Sequence, residues 1–146
     1  MKLAGSLEIA ASRDEVWAFV VDPDRVGGCL PGVESIERLA DGRFRARARL
    51  GSGFFSTRVE IMGEYTRLEP PDEATLVARG SGLGSTGEAT ARLALRDGEA
   101  GGTIVEWTAE VTLAGIAAAF EGRLSDGAAD RAVGEVLDCM RAKLEA

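Results

Sequence analysis

The sequence contains no histidine. That absence removes the commonest general base, the commonest metal ligand and every Ser-His-Asp or Cys-His scheme of nucleophilic catalysis. Positive charge is also scarce: 17 Lys and Arg stand against 24 Asp and Glu, for a net charge of −7. Nucleic-acid binding displaces counterions with a dense basic surface, and anionic membranes attract polybasic segments. The chain has neither, so no nucleic-acid partner is expected. Long apolar runs are missing too. The longest, such as Gly115 to Phe120, fall far below the ~20 residues that span a bilayer. The opening MKLAGSLEIAAS is too polar and too broken for the apolar core of a secretory signal. Cysteine is nearly absent: Cys29 and Cys139 lie far apart and form no Cys-x-x-Cys pair. Reduced, structural thiols in a cytoplasmic protein are therefore the simplest expectation.

What remains is an ordinary globular composition, 45% apolar and 28% charged over 146 residues, which suits one domain spanning residues 1–146. Leu3, Leu7 and Ile9 suggest a first strand. Ser12 with Glu15 three positions on forms a capping box, and Val16, Trp17, Phe19 and Val20 give the following helix an apolar face. Asp22-Pro23 starts a second, short helix, which Gly27 and Gly28 limit to about two turns. Six strands follow. Asp41-Gly42 is a hairpin signal, and Phe44, Ala46, Ala48 and Leu50 alternate with Arg45, Arg47 and Arg49, the period of a half-buried strand. The same alternation recurs over 56–68, 75–82, 86–96 and 103–113. From Gly115 onward the period becomes helical, with Phe120, Leu124, Val133, Val136, Leu137 and Met140 on one face. The expected fold is α+β: a seven-stranded curved antiparallel sheet around one long C-terminal helix, in the order β-α-α-β6-α.

The inward positions are undersized. Ala46, Ala48, Gly63, Ala78, Gly80, Ala89, Ala91 and Ala109 are all small, and Gly122, Gly127 and Gly134 thin the covering helix. Each glycine inside a helix costs up to ~1 kcal/mol against alanine. Native cores pack near a density of ~0.75, so two outcomes compete. Either helix and sheet approach closely, or the sheet curls away and leaves an apolar cavity. In the second case the cavity is lined by Ala46, Ala48, Val59, Ile61, Tyr65, Ala78, Ala91, Leu93, Trp107, Ala109, Phe120 and Leu124. Tyr65, Trp107 and Thr112 supply the few polar groups such pockets use, and a ligand burying ~400 Å² gains on the order of 10 kcal/mol gross. Cys29, Leu30, Phe54, Phe55 and Leu83, in Gly-rich segments at the sheet ends, are the expected rim.

Other chemistry is weak. The Gly80–Gly87 run lacks the Lys-Ser/Thr ending of a phosphate loop and joins two strands. Glu60 with Glu64, and Glu106 with Glu110, fall on outward faces beside arginines. No catalytic residue, metal ligand or cofactor site is expected; Tyr65 and Glu110 are the ionisable groups an enzyme would have to use.

Ala11, Val16-Trp17, Asp22-Pro23 and the run Cys29-Leu30-Pro31-Gly32 through Glu37 resemble the G-subunit family of carbon monoxide dehydrogenase, part of the START-like (SRPBCC, helix-grip) superfamily. Glu69-Pro70-Pro71, Gly80 to Gly87, Leu93, and Gly122 to Ala129 resemble it as well. The resemblance implies a helix-grip fold with a deep apolar cavity and no catalytic residues. It further implies association with a molybdenum hydroxylase of the carbon monoxide dehydrogenase type, through recruitment to the inner face of the cytoplasmic membrane or supply of a quinone-like acceptor. Gly27-Gly28 departs from the bulkier helix formers usual in the family, implying a looser second helix. The expectation is a non-catalytic carrier of a lipid or quinone-like molecule with peripheral membrane contact. The alternatives are an assembly factor without ligand and a START-like cyclase or hydrolase.

Overall fold

The computed structural model describes residues 1–50, 57–82, 84–115 and 128–146. In chain order these form β1 (Lys2–Ile9), α1 (Arg13–Val20), α2 (Pro23–Gly27), β2 (Val33–Arg38), β3 (Arg43–Leu50), β4 (Thr57–Glu69), β5 (Glu73–Gly82), β6 (Ser85–Asp97), β7 (Thr103–Gly115) and α3 (Ala128–Leu144). The strands make one antiparallel sheet in the order β1-β7-β6-β5-β4-β3-β2, so the chain's first strand closes onto its last. The architecture is α+β, a curved seven-stranded sheet with a C-terminal helix, and is consistent with the expected helix grip.

Local chemistry explains the boundaries. Ser12 Oγ accepts from the Glu15 amide at 3.2 Å, and the Asp22 carboxylate accepts from the Asp24 and Arg25 amides, satisfying donors that a helix start leaves open. The Asp41-Gly42 turn carries φ of 59° and 73°, the left-handed pair that a two-residue hairpin requires. One boundary differs from the sequence reading: β7 continues through Ala114 to Gly115 instead of yielding to helix at Gly115. Gly115 has φ +74°, and a Cβ there would lie 2.0 Å from the Gly84 carbonyl oxygen. The glycine therefore ends a strand.

Gly27 belongs to a helix of five residues, and a Cβ on it would stand 1.9 Å from Ile36 Cδ1. The departure from bulkier residues lets α2 lie directly on β2. Arg13 pins α1 across two turns of the sheet, reaching Asp72 at 2.6 Å and Asp97 at 2.9 Å. Outward charges pair across strands as the alternation suggests: Arg45 with Glu37 and Glu60, Arg79 with Glu88, Arg96 with Glu106, Lys2 with Glu110.

The core sits at one end of the sheet. Ile9, Val16, Phe19, Val20, Leu95, Val105 and Met140 are its buried residues, joined by Cys29, and Val136, Leu137 and Leu144 of α3 pack against them. The expectation of reduced thiols is overturned here. Cys29, after α2, and Cys139, on α3, form a disulfide across a sequence separation of 110 with Cα atoms 5.5 Å apart.

Candidate functional site

Because directly opposed residues in an antiparallel sheet share a face, the registers define the concave side. On β7 it reads Thr103, Val105, Trp107, Ala109, Val111, Leu113; the partners on β6 are Asp97, Leu95, Leu93, Ala91, Ala89, Gly87. On β5 the next row is Ala74, Leu76, Ala78, Gly80. Along β6 the side chains shrink from the packed end to the far end: Leu95 and Leu93 give way to Ala91, Ala89 and Gly87. A taper of this kind cannot be filled by one straight helix at constant spacing. An open, mainly apolar pocket of about 360 Å³ lies at the small-residue end, lined by Val59, Ile61, Ala78, Ala89, Val111 and Leu113 with the glycines of β5 and β6, and at its margin by Ser81, Ser85, Thr86 and Glu88. At roughly 30 Å³ per small heavy group, the share of a water molecule, it holds about a dozen heavy atoms.

Of the expected cavity residues, Val59, Ile61 and Ala78 line this space. Ala46 and Ala48 are buried, 4% and 1% exposed, on the adjoining stretch of β3 that opposes Ile61 and Val59. Ala91 and Ala109 oppose each other just short of it, and Leu93 packs against the core. Phe120, Leu124, Phe54, Phe55 and Leu83 lie outside the described residues, as do Gly122 and Gly127. Leu30 is 40% exposed and stands near the cavity end, because Gly32 accepts from the Arg49 amide at the close of β3. Cys29 is corrected: it is 7% exposed and tied to Cys139, so it belongs to the core and not to a rim.

The small positions of the sheet differ in what stands over them. Gly63 is occupied from the side: a Cβ there would lie 2.1 Å from the Phe44 ring. Gly5 likewise lies under Trp107, where a Cβ would stand 2.8 Å from the ring. At Gly80 the nearest atom is Ile61 Cγ1 at 3.5 Å, and the space above opens into the cavity. In α3, a Cβ on Gly134 would meet nothing within 4 Å among the described residues, so no contact with those residues requires that glycine. Sequence reasoning left Ala89, Val111, Leu113 and Gly87 off the site although the same alternation put them inward. The falling size of the β6 series was the signal that could have located the cavity along the strand.

The ionisable candidates are structural. Tyr65 donates from its hydroxyl to the Val20 carbonyl at 2.9 Å, fastening β4 to the end of α1. Burial, with Asp22 adding and Arg38 opposing, pushes its phenol up to about 12, which keeps it protonated at neutral pH. Glu110 is exposed and faces Lys2 at 3.7 Å. Trp107 differs: its indole Nε1 is buried and has no hydrogen-bond partner among the described residues. Among those residues no group of three acidic or sulfur side chains could hold a metal ion, and no helix is long and apolar enough to cross a membrane.

Residues 5–145 match the model of the CoxG family, the G-subunit of carbon monoxide dehydrogenase. Among solved structures, a conserved protein of Geobacillus kaustophilus superposes with a TM-score of 0.88 at 22% identity, over 99% of this chain and 95% of that one. A Thermus thermophilus protein gives 0.70 at 17% identity, over 99% and 97%, and a Deinococcus radiodurans protein 0.68 at 16%, over 99% and 98%. These likenesses show the fold. No curated protein matches the chain in sequence.

Proposed function

The chain belongs to the CoxG family of carbon monoxide dehydrogenase G-subunits, and from that premise we propose that it is a non-catalytic accessory protein. It carries an apolar small molecule, lipid or quinone-like, within a helix-grip domain of START-like type. It serves a molybdenum hydroxylase of the carbon monoxide dehydrogenase kind, in the cytoplasm and at the inner face of its membrane. The observation that carries the reading is the cavity of about 360 Å³, whose walls are Val59, Ile61, Ala78, Ala89, Val111 and Leu113. A space of this size among apolar walls falls within the range of small-molecule sites. The family supports the partner, because its members are described as part of the dehydrogenase. A chain with Tyr65 held in a hydrogen bond and Glu110 on the surface offers that enzyme a binding function. Exposed Leu30 near the cavity end supplies an apolar contact for membrane or enzyme that does not depend on basic charge.

The test is native mass spectrometry of the protein from its own cells, read for an apolar adduct, repeated on Ala89→Phe. The wild type should carry the adduct, and the variant should lose it at least tenfold with an unchanged circular dichroism spectrum. Co-purification with a hydroxylase and no adduct on the wild type would replace the carrier with a ligand-free assembly factor. Turnover of an ester or polyketide would replace it with an enzyme.

A further inference from the structure

The Cys29–Cys139 bond is unequal at its two ends. Cys29 follows α2 and is 7% exposed, inside the core. Cys139 is half-buried, on the border of the apolar stripe of α3. Its neighbour Met140 and Val136, three positions back, pack on the core, whereas Glu135 and Lys143, about one turn to either side, are exposed. Residues four apart on a helix share a face, so the Cys139 end of the bond is the one turned toward solvent. A cation stands at the other end. A Cβ on Gly28, the residue before Cys29, would lie 2.9 Å from Lys143 Nζ and 3.4 Å from the Arg25 carbonyl oxygen. The ammonium therefore reaches from α3 back to the C-terminal end of α2, beside Cys29 in the chain. Thiol–disulfide exchange needs one sulfur open to attack and a partner sulfur that leaves readily as a thiolate, and a nearby lysine stabilises a thiolate. A bond that only staples two elements requires neither feature.

We infer that this pair is a thiol–disulfide exchange site whose substrate is a dithiol of the thioredoxin type. The thiolate of the reductant attacks Cys139 Sγ. The bond between the two protein sulfurs breaks, and its electron pair goes to Cys29 Sγ, beside Lys143. The second thiol of the reductant then attacks the mixed disulfide and expels the Cys139 sulfur. The reductant leaves as a disulfide, and its two protons end on Cys29 and Cys139. This reaction cuts the covalent tie between α3 and the Cys29-Leu30-Pro31-Gly32 turn. It leaves the hydrogen bond from Arg141 of α3 to the Glu8 carbonyl in place. The redox state therefore sets whether the turn that bears exposed Leu30 is fixed to the helix.

The test offers the folded, oxidised protein a thioredoxin whose resolving cysteine is replaced by serine, which traps the first step, and maps the mixed disulfide by peptide mass spectrometry. The adduct should fall on Cys139. An adduct on Cys29, or none under native conditions, overturns the assignment. Reduction by dithiothreitol with timed alkylation then gives the rate. In the wild type it should be unchanged by sub-denaturing urea. Lys143→Gln should be reduced about three- to tenfold more slowly, and Lys143→Arg, which keeps the cation, should retain the wild-type rate. A rate that climbs with urea in step with global unfolding means that the bond opens only in the unfolded chain, and that result overturns the exchange site. An unaltered rate in a folded Lys143→Gln protein overturns it as well. None of these results bears on the carrier reading.

Discussion

At the scale of single residues, Tyr65 shows how a polar group that invites a catalytic reading serves the fold. Its hydroxyl donates to the Val20 carbonyl, and burial raises its pKa to about 12. A phenol with a folded pKa above its ordinary value of ~10 stabilises the native state as the neutral form. That contribution is complete below about pH 10 and is lost as pH rises through about 12, because the unfolded chain gives up the proton first. Tyr65→Phe should cost about 1 kcal/mol at neutral pH and remove this alkaline component. Urea denaturation of both proteins from about pH 8 to 11 reads it, and parallel curves would show that another group titrates. Residues also mark what the sequence could and could not say. The Ser12 cap and the Asp41-Gly42 turn were legible because each depends on neighbours within three positions. The fates of Gly63 and Gly80 were not, since Phe44 closes one and leaves the other open, and only the strand register decides which.

At the scale of elements, α3 is held by more than its apolar face. Met140, Val136, Leu137 and Leu144 pack on the core, Arg141 donates to the Glu8 carbonyl at 3.0 Å, and Cys139 bonds to Cys29. Two cysteines 110 residues apart give no local sign of pairing, which is why the sequence suggested free thiols. The fold brings the turn after α2 and the middle of α3 to the same corner. Closing a loop of that length restricts the unfolded chain, and breaking it typically costs about 2–5 kcal/mol. Reduction, or the pair Cys29→Ala with Cys139→Ala, should lower the Tm by roughly 5–15 °C. Thiol alkylation of the protein taken from its cells, before any exposure to air, reports which form is native. The Cys29–Cys139 bond predicts protection from alkylation, and full alkylation would mean that a reducing compartment keeps the pair as a dithiol.

At the scale of the whole molecule, the same sheet supports two unlike ends. One is packed around Ile9, Phe19, Leu95 and Val105, all at or below 5% exposure; the other narrows to Ala89, Gly80 and Gly87 around open volume. Among the described residues the second end has fewer such apolar contacts than the first, and local opening is easiest where buried contact is sparse. Amides of Leu95 and Val105 should therefore exchange slowest, and those of Ala78, Ala89 and Val111 faster, although all five lie inside paired strands. A ligand in the cavity supplies the missing contacts. At a hundredfold excess over its Kd it adds about 2.7 kcal/mol to every opening that releases it. Exchange at Ala78, Ala89 and Val111 should then slow by up to about a hundredfold, while local fraying at the Asp41-Gly42 turn, which releases no ligand, stays unchanged. Hydrogen–deuterium exchange with and without a benzoquinone bearing a single five-carbon prenyl tail resolves these regions separately. Equal protection at both ends without ligand would mean that the far end is packed as tightly as the core, and the tapering of the β6 series would then have no energetic consequence.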